Sequence, residues 1–334
     1  MTLTQLRYLI AIADSGLNIT TAAERVHATQ PGVSKQLKQL EDELGFQLFS
    51  RKGKSLHAIT PAGQQVLQRA RIIMTEAGNI RALAADLRGE ETGELAITTT
   101  HTQARFVLPH AIAALKRKYP GVNVHLKAQG EAQVMGEFER GHADLAIVST
   151  SDAPPANGLA VPLFRWQRAV IVPRTHALAG AKRQLALGDL ARHPLVSYES
   201  SLRPESSLRR AFAAAGESPQ FAMTSRDADL IKTYVREGLG VGILAEMALL
   251  PDDARDLVVL DVAADLLPTC TTWLVLRHDS VPRSYALALV ELIAPQLDRR
   301  DLQRALNDGA PAQWPSAPLW SEMATLGKVA KAAA

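Results

Sequence analysis

The segment of residues 61–90 opens with Pro61 and continues to Gly89 without a second proline. Its apolar residues are spaced alternately by four and three positions, the heptad period that lets two helices supercoil around each other. We predict one helix, on the order of 40 Å long at ~1.5 Å per residue. Because a solitary solvated helix gains little stability, we expect it to pair with a second copy of the chain. The seam residues are Val66, Ala70, Ile73, Ala77, Ile80, Ala84 and Leu87.

The chain has 334 residues, more than the roughly 100–200 of one ordinary domain, so we expect several domains. Its 47% hydrophobic and 21% charged residues exclude an intrinsically disordered chain. A single cysteine, Cys270, excludes an internal disulfide framework, a Cys-based zinc site and an iron–sulfur cluster. The N-terminus lacks a secretion-signal pattern, and no stretch reaches the ~18 apolar residues of a membrane span. We therefore expect a cytoplasmic protein without a membrane partner.

Residues 1–60 contain three short helical patterns. The first stops near Gly16, and Asn18 and Thr20 are N-cap candidates for the second. The third is predicted from about Gln30 to Leu44, with a proline in its first turn. A tight turn between two short helices, the later one with a polar face, predicts a helix-turn-helix.

A basic turn at residues 51–54 leads into residues 56–60, which we interpret as a wing, a small β-ribbon. Seven basic and five acidic residues give residues 1–60 a net charge of +2. The acids gather at the end of the third helix, whereas the bases lie on its front and on the wing. The alternative is the solvated surface of a small helical bundle. The charge separation favours DNA binding, because phosphates attract a basic contact face.

Residues 91–300 alternate strand and helix patterns, which predicts parallel sheets flanked by helices. The predicted helices of the first set are Thr102–Tyr119 and Val134–Arg140. Segments Leu257–Leu260 and Thr271–Leu276 are predicted to return to the first sheet. The chain is expected to leave the first α/β lobe, form the second and return to the first. This arrangement is typical of a hinged module that binds a ligand in the cleft between its lobes.

The fold class is therefore multidomain, α and α/β. We assign residues 1–60 to a winged helix-turn-helix and 61–90 to a dimerising linker helix. Residues 91–308 form the effector-binding domain, with lobe I at about 91–162 and 268–308 and lobe II at about 163–267. Residues 309–334 are a C-terminal tail that either packs on a lobe or stays mobile.

Long motifs in both halves resemble those of the LysR-type transcriptional regulators. The N-terminal matches are Ala22–Val26, Thr29–Leu37, Leu40–Gly45, Leu48–Arg51 and Thr60–Gly63. Segments Thr99–Arg105 and Asp227–Gly242 look like the CysB-type branch, which regulates sulfate reduction, cysteine synthesis and sulfonate use. The resemblance implies a winged helix-turn-helix, a dimerising helix and an effector domain like a periplasmic binding protein. It also implies a homodimer or homotetramer that binds double-stranded promoter DNA, with RNA polymerase as a further partner.

By its position in the family, the third helix enters the major groove. Glutamine suits adenine edges, whereas lysine suits guanine acceptors or phosphates. The wing residues are expected to meet phosphates. The predicted DNA-binding residues are Thr20, Gln30, Pro31, Ser34, Lys35, Lys38, Arg51 and Lys54.

The segment from Thr100 to Gln103 lies between a strand and a helix, where free backbone N–H groups favour an anion. Helix capping by the two threonines is the alternative role, and the two roles are compatible. Trp166 either faces the cleft or packs in the core, and Arg203 either binds an anion in a bidentate manner or lies on the rim in solvent. The predicted effector-binding residues, carried over in part from the CysB-type branch, are Thr100, Thr102, Gln103, Ser149, Trp166, Arg203 and Thr224.

The effector is expected to be a small anion of sulfur metabolism: acetylserine, adenosine phosphosulfate, sulfate or thiosulfate. We predict no cofactor, no metal and no catalytic residue, since no nucleophile elbow, zinc motif or Walker loop occurs. A regulator of another metabolic pathway is the alternative function. A solute-binding protein is a further alternative, but the missing secretion signal and the N-terminal helix-turn-helix argue against it.

Overall fold

The computed structural model of the chain describes residues 1–53, 55–263, 265–308 and 314–323. The chain divides into two compact units. Residues 1–90 with 279–281 form the first, and the described residues of 91–278 and from 282 onward form the second. Among the described residues, no helix is long and apolar enough to cross a membrane.

Three helices form the core of the first unit, as the sequence predicts. Asn18 caps the second helix by accepting the N–H groups of Thr20 and Thr21, which confirms one of the two cap candidates. The third helix has the predicted bounds, and Thr29 caps it through the N–H of Gly32. Leucine and valine side chains fill the space between the helices. The helices are α1 (Leu3–Asp14), α2 (Ile19–Arg25) and α3 (Gln30–Leu44).

A two-stranded antiparallel ribbon, β1 (Phe49–Lys52) and β2 (Ser55–Ile59), follows α3 and confirms the predicted wing. Glu41, one of the acids expected on a solvated helix end, is instead buried beneath it. Its Oε1 accepts the N–H groups of Leu48 at 2.8 Å and Phe49 at 3.3 Å. This carboxylate therefore fixes the start of the wing.

The helix α4 (Pro61–Leu87) has 27 residues, in agreement with the predicted single helix. Its first turns pack on the core of the first unit through Leu67 and Ala70. Farther along, the apolar side chains lie open: Ile80 is 70% exposed and Leu87 79% exposed. Among the described residues of one chain, these two seam side chains therefore have little apolar cover.

The first sheet of the second unit has the strand order β4-β3-β5-β12-β6. Strands β4, β3 and β5 are parallel, whereas β12 is antiparallel to both neighbours. The three strands of the predicted βαβαβ unit are thus parallel, as expected, and the returning strand β12 makes the complete sheet mixed. The first sheet also continues to Trp166, beyond the predicted lobe end at residue 162. Its strands are β3 (Gly93–Thr100), β4 (Val122–Gln129), β5 (Leu145–Thr150), β6 (Leu159–Trp166) and β12 (Cys270–Leu276).

The second sheet has the strand order β11-β7-β10-β8-β9 and is also mixed. The prediction that residues 257–260 return to the first sheet is wrong, because β11 pairs antiparallel with β7. Only a short connection separates β11 from β10, so the chain stays beside the sheet it has just left. The strands are β7 (Arg168–Pro173), β8 (Leu195–Tyr198), β9 (Phe221–Ser225), β10 (Val241–Ala245) and β11 (Leu257–Val259).

One predicted helix of the second unit is interrupted. The single helix from Thr102 to Tyr119 is wrong, because α5 ends at Phe106 and α6 begins at Leu108. Pro109, in the first turn of α6, has no N–H to continue the helical ladder. The helices are α5 (His101–Phe106), α6 (Leu108–Lys118), α7 (Glu131–Glu139), α8 (Leu187–Ala191), α9 (Ser207–Ala214), α10 (Ala228–Arg236), α11 (Ser284–Ile293) and α12 (Arg299–Asp308).

The outer edge of β6 is covered by the described part of the C-terminal tail. Pro318 accepts a hydrogen bond at 2.8 Å from the N–H of Arg165, and Trp314 donates to the carbonyl of Ala160 at 3.0 Å. The ring of Trp320 lies 5.0 Å from that of Phe164. Residues 314–323 therefore pack on lobe I, whereas 309–313 and 324–334 lie outside the described residues.

Helix α10 carries a buried lysine. Lys232 is 2% exposed, and its ammonium donates at 2.8 Å to both Asp253 and the carbonyl of Ala248. Arg236 also donates to Asp253, at 2.6 Å. Burial raises the pKa of the Asp253 carboxyl, but hydrogen bonds from Lys232, a backbone N–H and Arg236 outweigh it and lower the pKa. The ionised carboxylate therefore holds α10 to the segment that follows β10.

Candidate DNA-binding surface and effector cavity

The exposed side of α3 gathers the predicted DNA-contacting residues of that helix. At 3.6 residues per turn, these positions span an arc of about 140°. None of the polar side chains among them makes a hydrogen bond or ion pair with another described residue. They form the α3 surface: Gln30, Pro31, Ser34, Lys35 and Lys38, of which Ser34 is half-buried and the others exposed.

The remaining predicted DNA contacts lie outside α3. Thr20 is exposed on α2. On the wing, the guanidinium of Arg51 lies 3.5 Å from the buried carboxylate of Glu41, so part of its charge is already compensated. Lys52 is exposed beside it, while Lys54 lies outside the described residues.

A cavity of about 600 Å³ lies between the two sheets of the second unit. Strands β3, β5 and β8 point their carboxyl ends toward it, the usual place for ligands in α/β folds. Six of the seven predicted effector residues line this cavity: Thr100, Thr102, Gln103, Ser149, Trp166 and Arg203.

Thr224 does not line the cavity. It pairs with Ser197 inside β9, one residue before the strand ends. Arg226, just beyond that end, lines the cavity instead and donates to Glu199 at 2.6 Å. The effector role predicted for Thr224 therefore has no support from its position.

Four side chains form a polar cluster on the first sheet. Gln103 is 1% exposed, and its Nε2 donates to Ser149 at 3.0 Å and to Thr272 at 3.4 Å. Trp166 donates through its indole N–H to Thr272 at 3.1 Å and Ser149 at 3.3 Å. The Oε1 of Gln103 is buried without a hydrogen-bond partner among the described residues. Either orientation of this amide leaves one polar group free for a ligand.

Thr272 was missed by sequence reasoning. The signal that could have found it is strand register, since Thr272 faces Ser149 directly across the β5–β12 pair.

The two threonines near α5 have different partners. Thr100 occupies the N-cap position, but its side chain makes no capping hydrogen bond, so the predicted capping role is wrong for this residue. Thr102 donates at 3.2 Å to the hydroxyl of Tyr198, which also accepts the N–H of Ala245 at 3.2 Å. Burial raises the pKa of the Tyr198 phenol. The neutral hydrogen-bonded pair of Thr102 and Tyr198 therefore links the two sheets across the cavity.

Charged side chains also line the cavity. The side chain of Arg203 is 42% exposed, lines the cavity and lies 3.9 Å from Glu131. Burial raises the pKa of Glu131, while Arg203 and Arg168 oppose that shift. Arg168 and the buried thiol of Cys270 also line the cavity. Sequence reasoning missed Arg168 as a site residue, although it lies only two positions after Trp166.

Comparisons with known proteins agree with this architecture. A bacterial regulatory helix-turn-helix model of the LysR family matches residues 3–64, and the LysR substrate binding domain model matches residues 88–298. The regulator CysB of Haemophilus influenzae is 40% identical over 307 residues, 91% of this chain and 94% of that protein. The regulator SsuR of Burkholderia cenocepacia is 35% identical over 308 residues, 92% and 99% of the two chains. The crystal structure of the cofactor-binding domain of the Cbl regulator has a TM-score of 0.59 and 32% identity, covering 65% of this chain and 94% of that one.

A winged helix-turn-helix, a long linker helix and a two-sheet domain with an internal cavity define the class of transcription regulators that carry their own ligand-binding domain. The chain belongs to the LysR family of DNA-binding transcriptional regulators.

Proposed function

We propose that the chain regulates sulfur assimilation genes, chiefly as an activator, in response to a small anion bound in the cavity. The observation that carries the proposal is the polar cluster of Gln103, Ser149, Thr272 and Trp166 at the cavity. With its amide turned so that Oε1 accepts the hydroxyls of Ser149 and Thr272, Gln103 presents unpaired N–H donors to an anion. The similarity to CysB, SsuR and Cbl supports the sulfur assignment. The candidate effectors are acetylserine, adenosine phosphosulfate, sulfate and thiosulfate. A regulator of another pathway is the alternative.

We propose that effector binding changes the arrangement of the two lobes and thereby the way the regulator sits on and bends promoter DNA. Only an effector with different affinities for two arrangements can drive such a change. DNA footprints recorded with and without each of the four candidate effectors test this. A footprint that one of them alters supports the proposal, and footprints that none of them alters contradict it.

Gln30→Ala is expected to weaken binding to the specific operator by about 1–3 kcal/mol and to leave binding to random DNA almost unchanged. Gln30 is exposed at the start of α3, where its amide can read a base edge. The matched control is Gln36→Ala, on the same helix but outside the α3 surface. Lys52→Ala should weaken binding to the operator and to random DNA similarly, because phosphate contacts carry no sequence information. Fluorescence anisotropy with both DNAs measures the affinities. If Gln30→Ala loses equal affinity for the operator and for random DNA, Gln30 does not contact a base.

The exposed apolar seam of α4 supports a homodimer. Membership of the family extends this proposal to a homotetramer that recruits RNA polymerase. Ile80→Glu should raise the dimer dissociation constant more than about 10-fold, because each copy would bury an unpaired charge in the seam. Gln68→Glu places the same charge on the same helix outside the seam and should change little. Sedimentation velocity over a concentration series measures both. A dimer unaffected by Ile80→Glu would show that the chains pair elsewhere.

A further inference from the structure

Arg168 lies where the chain crosses from one sheet to the other. It is the first residue of β7, two positions after β6 ends at Trp166. Its Nη1 donates at 2.7 Å to the carbonyl of Pro268, on the segment that crosses back toward β12. Its Nη2 donates at 2.7 Å to Ser207, the first residue of α9. One guanidinium therefore joins both crossing segments and a helix of lobe II.

Among the described residues, the charge of Arg168 is not held in a close ion pair, although it acts on the nearby carboxyl of Glu131, where burial raises the pKa and Arg168 opposes that rise. The cavity-lining arginines Arg203 and Arg226 face Glu131 and Glu199 at 3.9 and 2.6 Å. Arg168, in contrast, contacts a carbonyl, a hydroxyl, the Cys270 thiol and the face of the Trp166 ring, 5.9 Å from its centroid. No ion pair joins it to an acid in the part of the chain that the structure describes. Because a guanidinium stays protonated in proteins, Arg168 brings a permanent positive charge to the cavity, whose lining also includes acidic side chains.

We propose that Arg168 is the residue that binds the charged end of the effector, an oxyanion such as a carboxylate or a sulfate. The assignment rests on the proposed anionic effector. A guanidinium has five N–H donors, and two of them donate to Pro268 and Ser207, so donors remain for a bidentate contact to two oxygens. Since the same group holds Pro268 and Ser207, an anion bound there acts on both connections between the lobes.

Isothermal titration of the full-length protein with sulfate and with thiosulfate tests the assignment. Arg168→Met keeps much of the side-chain length without the charge and should weaken binding of these anions by about 10-fold or more. Arg168→Lys keeps the charge but loses the planar fork, so it should bind with intermediate affinity. The matched control is Arg174→Met, which removes a guanidinium that also donates to backbone carbonyls in lobe II but does not line the cavity, and it should stay within about threefold of the wild type.

The outcomes separate the two proposals. If the wild type binds an anion and Arg168→Met binds it equally well, the assignment of Arg168 is overturned while the anionic effector stands. If Arg174→Met loses as much affinity as Arg168→Met, the loss does not come from a contact in the cavity and the assignment is again overturned. If the wild type binds neither anion but still binds operator DNA, the simple-oxyanion effector and the role of Arg168 fail together, and DNA binding by the regulator remains.

Discussion

Gly63→Ala should destabilise the first unit by about 3 kcal/mol, at the upper end of the cost of overpacking a core. A Cβ at this position would lie 2.0 Å from the carbonyl oxygen of Leu48, a backbone atom that cannot rotate away. The contact is close because the start of α4 is docked there: Thr60 donates its N–H to that same carbonyl at 3.0 Å. Thr60 also caps the helix by accepting the N–H of Gly63 at 2.9 Å.

Gly78→Ala is the matched control, in the same helix. A Cβ there meets nothing within 4 Å, and Gly78 lies outside the seam, so alanine should stabilise the helix by roughly 0.5–1 kcal/mol. Hydrogen exchange of residues 1–90 in the full-length protein, together with operator affinity, measures both variants. Similar small effects of the two substitutions would show that α4 can move away from the wing without loss.

Asp253→Asn should destabilise the second unit by about 3–5 kcal/mol, the usual cost of breaking a buried ion pair. The side chain of Lys232 is 3% exposed. After the substitution, Asp229 at 3.0 Å is the one charged partner of its ammonium among the described residues. At roughly 2–4 °C per kcal/mol for a unit of this size, the melting temperature should fall by roughly 6–20 °C.

Asp252→Asn is the matched control at the adjacent residue. Asp252 pairs with Arg255 at 3.0 Å, but both side chains are 81% exposed, and exposed pairs contribute about 0–1 kcal/mol. The pKa of Asp253 is lowered in the folded protein, so its contribution is complete above the unfolded pKa near ~3.9 and is lost as pH falls below it. The difference between wild type and Asp253→Asn should therefore shrink in acid. Equal melting temperatures for the two variants at neutral pH would contradict the role of the buried pair.

The features that the sequence predicted correctly are those written in local patterns. The spacing of apolar residues and the proline at its start are enough to predict α3, and the Asn18 cap depends on neighbours two and three positions away. The features missed depend on partners distant in the chain. Arg168 stands out only when residues 207 and 268 are placed beside it, and Thr272 only through its register with Ser149. The prediction for Thr224 is not supported because β9 continues one residue beyond it, and no local sequence pattern specifies where a strand ends.

The described tail residues have a consequence for solubility. Strand β6 is the outermost strand of the first sheet, and a bare strand edge offers N–H and C=O groups to a strand of another molecule. Three such groups already have hydrogen-bond partners. The N–H of Arg165 donates to the carbonyl of Pro318, while the side chains of Trp314 and Gln296 donate to the carbonyls of Ala160 and Leu163. The tail thus shields this strand from intermolecular β-pairing, the first step of aggregation.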